Sequence, residues 1–156
     1  MTLSPGRAIA YGGLTVGGLD GLDALIFFGL RGVAPARVFQ AIAAGLLGRT
    51  AAFGGGGATL ALGVLLHFTI ATTVVAAYYL ASRRQPALVR RPLVWGPVYG
   101  MLVYLVMNQV VIPLSALGSG SPSLPVVVNG VLIHLAGVGL PAALFASWAR
   151  SPAAPA

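Results

Sequence analysis

The sequence predicts an all-α fold, an integral membrane bundle of four transmembrane helices with a short interfacial or re-entrant helix between spans 1 and 2. Three observations carry this. Of 156 residues, 58% are hydrophobic and only 7% charged, which is too little polar surface to coat a soluble globule of this size. The apolar residues fall into four runs, each near the roughly 20 residues needed to cross a bilayer. The charges gather at the ends of those runs: all nine basic residues are Arg, and the two acids, Asp20 and Asp23, stand alone inside the first run.

The first span is predicted over about residues 8–30. It is rich in glycine (Gly12, Gly13, Gly17, Gly18, Gly21), which lowers helix propensity but lets neighbouring helices approach closely. Arg7 ahead of an apolar run superficially resembles a signal peptide, yet Asp20 and Asp23 interrupt the stretch where such a peptide is purely apolar. The expectation is a retained span. Residues 35–48 follow, with Val38, Phe39, Ile42, Leu46 and Leu47 on one side of a helix and Arg37 and Gln40 off it. That helix is amphipathic and too short to cross.

The glycine run Gly54–Gly57 breaks the chain before a second span at about residues 58–81, where Tyr78, Tyr79, Arg83 and Arg84 mark an aromatic and basic membrane border. A polar connector with Arg83, Arg84, Arg90 and Arg91 around Pro86 divides the chain into two hairpins. The third span is predicted over about residues 94–117, ended by Pro113 and an uncharged Gly/Ser/Pro loop, and the fourth over about 126–148, closed by Trp148 and Arg150. Residues 1–150 thus form a single transmembrane domain, and 151–156 a disordered tail.

Arg7, Arg83, Arg84, Arg90, Arg91 and Arg150 fall on one side of this topology, and Arg31, Arg37 and Arg49 on the other. The positive-inside rule then predicts a multi-pass protein with both termini cytoplasmic, Arg83, Arg84, Arg90 and Arg91 setting the topology. The net charge of +7 is scattered at span ends, where it meets phospholipid head groups; the expected partner is the lipid bilayer, not nucleic acid. With no Cys there is no disulfide, thiolate metal site or Cys nucleophile. Gly54–Gly57 lacks the Gly-Lys-Ser/Thr of a phosphate loop, and Ser115 and Ser119 lack the context of a nucleophile elbow.

An ionisable group inside a span is expensive, so chemistry would reside there if anywhere. At about 1.5 Å per residue, Asp20, Asp23, His67, Asn108 and His134 fall in one layer near the bilayer centre, and Asp20 and Asp23, three positions apart, share a helix face. The segment Gly63-Val64-Leu65-Leu66-His67 recurs as Gly130-Val131-Leu132-Ile133-His134, the pattern a duplicated hairpin leaves. Two readings stay open for the layer: a proton relay, cation site or ligand pocket, or polar glue that holds four apolar helices in register. Two imidazoles at one depth also meet the minimum for bis-histidine haem, and with the two Asp for zinc; neither group is adopted as a cofactor.

The order of signals, with Pro35-Ala36-Arg37-Val38-Phe39-Gln40 through Gly45-Leu46-Leu47-Gly48, Leu66-His67-Phe68-Thr69-Ile70-Ala71 leading to Tyr78-Tyr79, and Gly130 with His134, resembles a group of small four-span bacterial inner-membrane proteins of the YagU-like type over roughly residues 12–148. The resemblance implies a polytopic protein of the bacterial inner membrane and carries over no catalytic residue. The functional expectation is a non-enzymatic small membrane protein that packs with itself or serves as an accessory subunit of a larger membrane complex. The alternative is a proton- or cation-coupled transporter or channel using the Asp/His cluster, with a haem-binding membrane subunit as a third class.

Overall fold

The computed structural model describes residues 3–150, which among them form helices and short connections without a strand. The helices are α1 (Pro5–Gly29), α2 (Pro35–Leu47), α3 (Arg49–Gly54), α4 (Gly56–Arg84), α5 (Ala87–Arg90), α6 (Pro92–Leu114) and α7 (Leu124–Ala149). Residues 151–156, expected to be a disordered tail, lie outside the described residues. At about 1.5 Å per residue, α4, α6 and α7 run to roughly 35–44 Å, more than the hydrocarbon thickness of about 30 Å. These three are both long and apolar enough to cross a membrane. With 25 residues α1 has the length, but its glycines and two Asp hold its hydropathy below theirs.

The long helices alternate in direction. Leu3 N donates to Trp148 O at 3.2 Å, which brings the start of α1 and the end of α7 together; α5, between α4 and α6, packs against α7 at this same connector end. Residues 31–54 and 115–123 occupy the opposite end, joined where Ala116 N donates to Gly45 O at 2.8 Å. Around the bundle α4 packs on α1, α1 on α7 and α7 on α6. The remaining seam, between α4 and α6, has no extended packing contact. Those two helices are tied at the connector end by Tyr99, whose hydroxyl donates to Val74 O at 2.8 Å and whose ring meets Tyr78 edge-on at 4.9 Å.

The tyrosines correct an expectation. Tyr78 and Tyr79 are 1% and 9% exposed and belong to the core with Val16, Val75 and Val138, not to a membrane border. Residue spacing explains it: Ala71, Val75, Tyr78, Tyr79 and Ser82 occupy one face of α4, and that face is the one turned to α1 and α7.

Helix α2 also departs from expectation. It runs over 13 residues, but Gln40 is buried rather than on a polar side, while Leu46 and Leu47 are exposed. Gln40 Nε2 donates to Gly56 O at 3.0 Å and to Thr59 Oγ1 at 3.3 Å, and Thr59 in turn donates to Ala52 O at 2.6 Å. These bonds satisfy backbone carbonyls around the α3–α4 glycine junction, where Gly56 takes a positive φ of 57° and is followed by Gly57. Burial of this amide is tolerated because its N–H groups find acceptors in Gly56 O and Thr59 Oγ1. The buried face of α2 is Val38, Gln40, Ala43 and Ala44, packed mainly on α4.

Two of the long helices widen into a π turn, Met107–Val111 in α6 and His134–Gly139 in α7. Each ends two residues ahead of a proline, Pro113 and Pro141. A proline has no amide hydrogen and its ring presses on the carbonyl four residues back, here Gln109 and Gly137, both inside the π turns. The wider turn relieves that clash, and such turns recur at functional sites.

Candidate functional site

Glycine on α1 makes room for a histidine on α4. A Cβ at Gly21 would lie 3.1 Å from His67 Nε2, and one at Gly17 2.6 Å from the Phe68 ring. Without those carbons the α4 side chains reach the α1 backbone, and His67 Nε2 bonds Gly17 O at 2.8 Å. A carbonyl only accepts, so Nε2 carries the proton and, in the neutral ring, Nδ1 holds a lone pair. Nδ1 faces Asp20 Oδ2 at 4.0 Å, with His67 and Asp20 side chains 10% and 28% exposed. This separation is too long for a direct hydrogen bond and right for an ion pair or one bridging water.

His134 is fixed by the same device with the other nitrogen. Its Nδ1 bonds Gly130 O at 2.8 Å within α7, so Nδ1 carries the proton and Nε2 the lone pair. Its ring lies edge-on to Tyr104 at 5.4 Å, as that of His67 lies edge-on to Phe39 at 5.8 Å. Asn108 Nδ2 donates to Tyr104 O at 2.9 Å in its own helix. All three of these side chains therefore commit a donor to a main-chain carbonyl. Toward one another, Asp20, His67 and His134 offer acceptors.

Two adjoining cavities are built around these groups. The first, about 220 Å³, is bordered by Asp20, His67, Asn108 and His134 and walled by aliphatic side chains such as Ile70, Val74, Val103 and Met107. The second, about 180 Å³, is bordered by Asp20, Asp23, Asn108, Asn129 and His134. Asp20, Asn108 and His134 border both. Both π turns contribute to this partition, Met107 and Asn108 from one and His134 from the other.

The five polar residues picked out in sequence thus line two neighbouring cavities, but they do not form one network. Asp23 pairs with Asn129, whose Nδ2 donates to its Oδ2 at 2.6 Å. Sequence reasoning missed Asn129. The signal that could have found it was an amide inside the apolar run of α7, five residues ahead of His134 and therefore about 7 Å from it along the axis, close to the level of Asp23 on the antiparallel α1. Among the described residues no three His or acidic side chains converge as a group that could hold a metal ion.

Of the basic residues, Arg83, Arg84, Arg90 and Arg91 lie at the connector end, all exposed; Gln85, Arg90 and Arg91 border a shallow hollow there. At the other end Arg31 donates to Phe27 O at 2.8 Å and stacks on the Phe27 ring at 3.6 Å, and Arg37 lies over Phe53 at 4.9 Å. Comparison of the chain with protein-family models, curated proteins and solved structures gave no match.

Proposed function

We propose that this is a four-span protein of the bacterial inner membrane, non-enzymatic, that takes up a proton or another cation at Asp20, His67 and His134. One observation carries the reading: each histidine spends its N–H on a backbone carbonyl, leaving Asp20 and two ring nitrogens as acceptors beside a cavity. A carboxylate in a low-dielectric bundle needs a counter-charge or a proton, and the neutral donors that border the cavities, such as the second N–H of Asn108, supply no charge. Polar glue accounts for the bond from His67 to Gly17 O and for that from Asn129 to Asp23, but leaves the Asp20 carboxyl 4.0 Å from the nearest His67 nitrogen. The accessory-subunit reading rests on composition and has no use for the cavities.

The fourth span in this reading is α1. Its length, its glycine face turned to α4 and α7, and the exposed Leu14, Leu22 and Ile26 on its outer side support it. The arginine count supports cytoplasmic termini. A reporter fused after Arg91 is expected to read as cytoplasmic and one inserted at Ser119 as periplasmic; the reverse at either place would overturn the orientation.

The site is tested with purified protein in liposomes containing a trapped pH-sensitive dye, under an imposed pH gradient. The titratable groups facing the cluster are Asp20 and Asp23 on α1, His67 on α4, Tyr104 on α6 and His134 on α7. Wild type is expected to move protons faster than empty liposomes. Asp20→Asn, which keeps shape but removes the titrating carboxyl, is expected to slow this at least tenfold, whereas Asp23→Asn changes it less than threefold. Equal rates for wild type and Asp20→Asn would sink the proposal.

A further inference from the structure

The seam between α4 and α6 runs along the first cavity. It is framed at the connector end by the Tyr99 to Val74 hydrogen bond and at the opposite end by the bond from Ala116 to Gly45. Between these two ties Ile70 and Val74 on α4 and Met107 and Ile112 on α6 border the cavity, all half-buried. Their helices have no extended contact that would close the gap. The polar lining comes from all four long helices, as Asp20, His67, Asn108 and His134, and the rest of the wall is aliphatic.

Resting on the cation reading above, we infer that the cavity admits its ligand sideways from the bilayer, and that the ligand is a protonated primary amine on a compact apolar body. The ammonium is the part recognised by the polar lining. It brings three donors to a wall where Asp20 and two imidazole lone pairs are acceptors and Asn108 keeps one spare amide hydrogen, and it supplies a full positive charge beside Asp20. The apolar body is required by the other walls, which would leave an inorganic cation's hydration shell against hydrocarbon. The size is set by the volume of about 220 Å³, below the roughly 300–1,000 Å³ of pockets for drug-sized ligands and suited to a single ring. Entry through the seam fits such a molecule, because the neutral amine partitions into lipid and takes the proton carried by the Asp20 carboxyl, which leaves an ammonium beside a carboxylate.

The test uses the whole protein in nanodiscs, with 2-phenylethylamine as probe, 2-phenylethanol as its neutral analogue and methylammonium as a cation without the apolar body, and empty nanodiscs to subtract partitioning. Calorimetric titration is expected to show binding of phenylethylamine at least tenfold tighter than of either comparison compound. Asp20→Asn is expected to weaken it at least tenfold, and Ile70→Trp or Met107→Trp, which place bulk at the seam without touching the polar wall, to weaken or slow it comparably. Phenylethanol binding as tightly as the amine would remove the role of the acceptors, and methylammonium doing so would remove that of the apolar walls; either overturns the inference. So does unaltered binding in both tryptophan variants, for the side entrance. Should no amine bind while Asp20-dependent proton movement persists in liposomes, this inference falls and the cation site stands; loss of both defeats both.

Discussion

Replacing Gly100 with Leu is expected to separate α6 from α7 and to abolish the folded protein in mild detergent. Gly96 and Gly100 stand four residues apart on α6, and both face the backbone of α7. A Cβ at Gly96 would lie 2.8 Å from Leu140 Cα and 3.0 Å from Gly139 O; one at Gly100 would fall on the His134 carbonyl, 2.9 Å from Leu135 Cα. These neighbours are main chain, so no side chain can swing aside and the helices must part. Overpacking alone costs about 1–3 kcal/mol and occasionally more, and parting the helices also forfeits the close contact that small residues permit in lipid. Because the obstructed atoms belong to His134 and Leu135, the same change displaces the candidate site. Gly18 on α1, where an added Cβ would meet nothing within 4 Å, provides the contrast: Gly18→Ala is expected to stabilise by up to about 1 kcal/mol through helix propensity. Thermal unfolding followed by size-exclusion chromatography checks both signs. An unchanged transition for Gly100→Leu would refute the contact.

Asn129→Leu is expected to destabilise the bundle by about 2–3 kcal/mol, since it strips Asp23 of its hydrogen-bond donor while leaving the carboxyl inside the bundle. The asymmetry of buried hydrogen bonds makes the sharper prediction. Removing both partners, as in Asp23→Leu with Asn129→Leu, leaves no unsatisfied group, so the double variant should be more stable than Asn129→Leu alone. Unfolding in detergent of wild type, both single variants and the double variant gives the coupling directly. Additive losses would mean that the 2.6 Å bond contributes nothing.

Much of the architecture follows from quantities that run along one axis. The apolar runs predicted at about 58–81, 94–117 and 126–148 correspond to α4, α6 and α7 within a few residues, because the start and stop of a helix in an apolar chain are written locally by Pro, Gly and Arg. The layer of Asp20, His67, Asn108 and His134 was legible for the same reason: depth follows from a fixed rise per residue. Even the π turns have a cause in the sequence, in Pro113 and Pro141, although the periodicity of the apolar residues does not display it.

What depth leaves open is azimuth. Sequence spacing says that Asp20 and Asp23 share a face of α1, but not that Asp20 meets His67 while Asp23 meets Asn129; that depends on which helix lies to either side. Gln40 belongs to the same class. Its polarity argued for an exposed face of α2, and only the approach of Gly56 O and Thr59 Oγ1 as acceptors made its burial favourable. Tyr78 and Tyr79 read as a border from their place beside Arg83 and Arg84, and became core because α7 and α5 close over them. Helix content, the long apolar helices and the level of each polar group follow from local chemistry and a constant helical rise. Tertiary structure alone decided which helices adjoin, which acceptors face one cavity and that α4 and α6 stay apart, because those outcomes depend on where glycine lets two backbones approach.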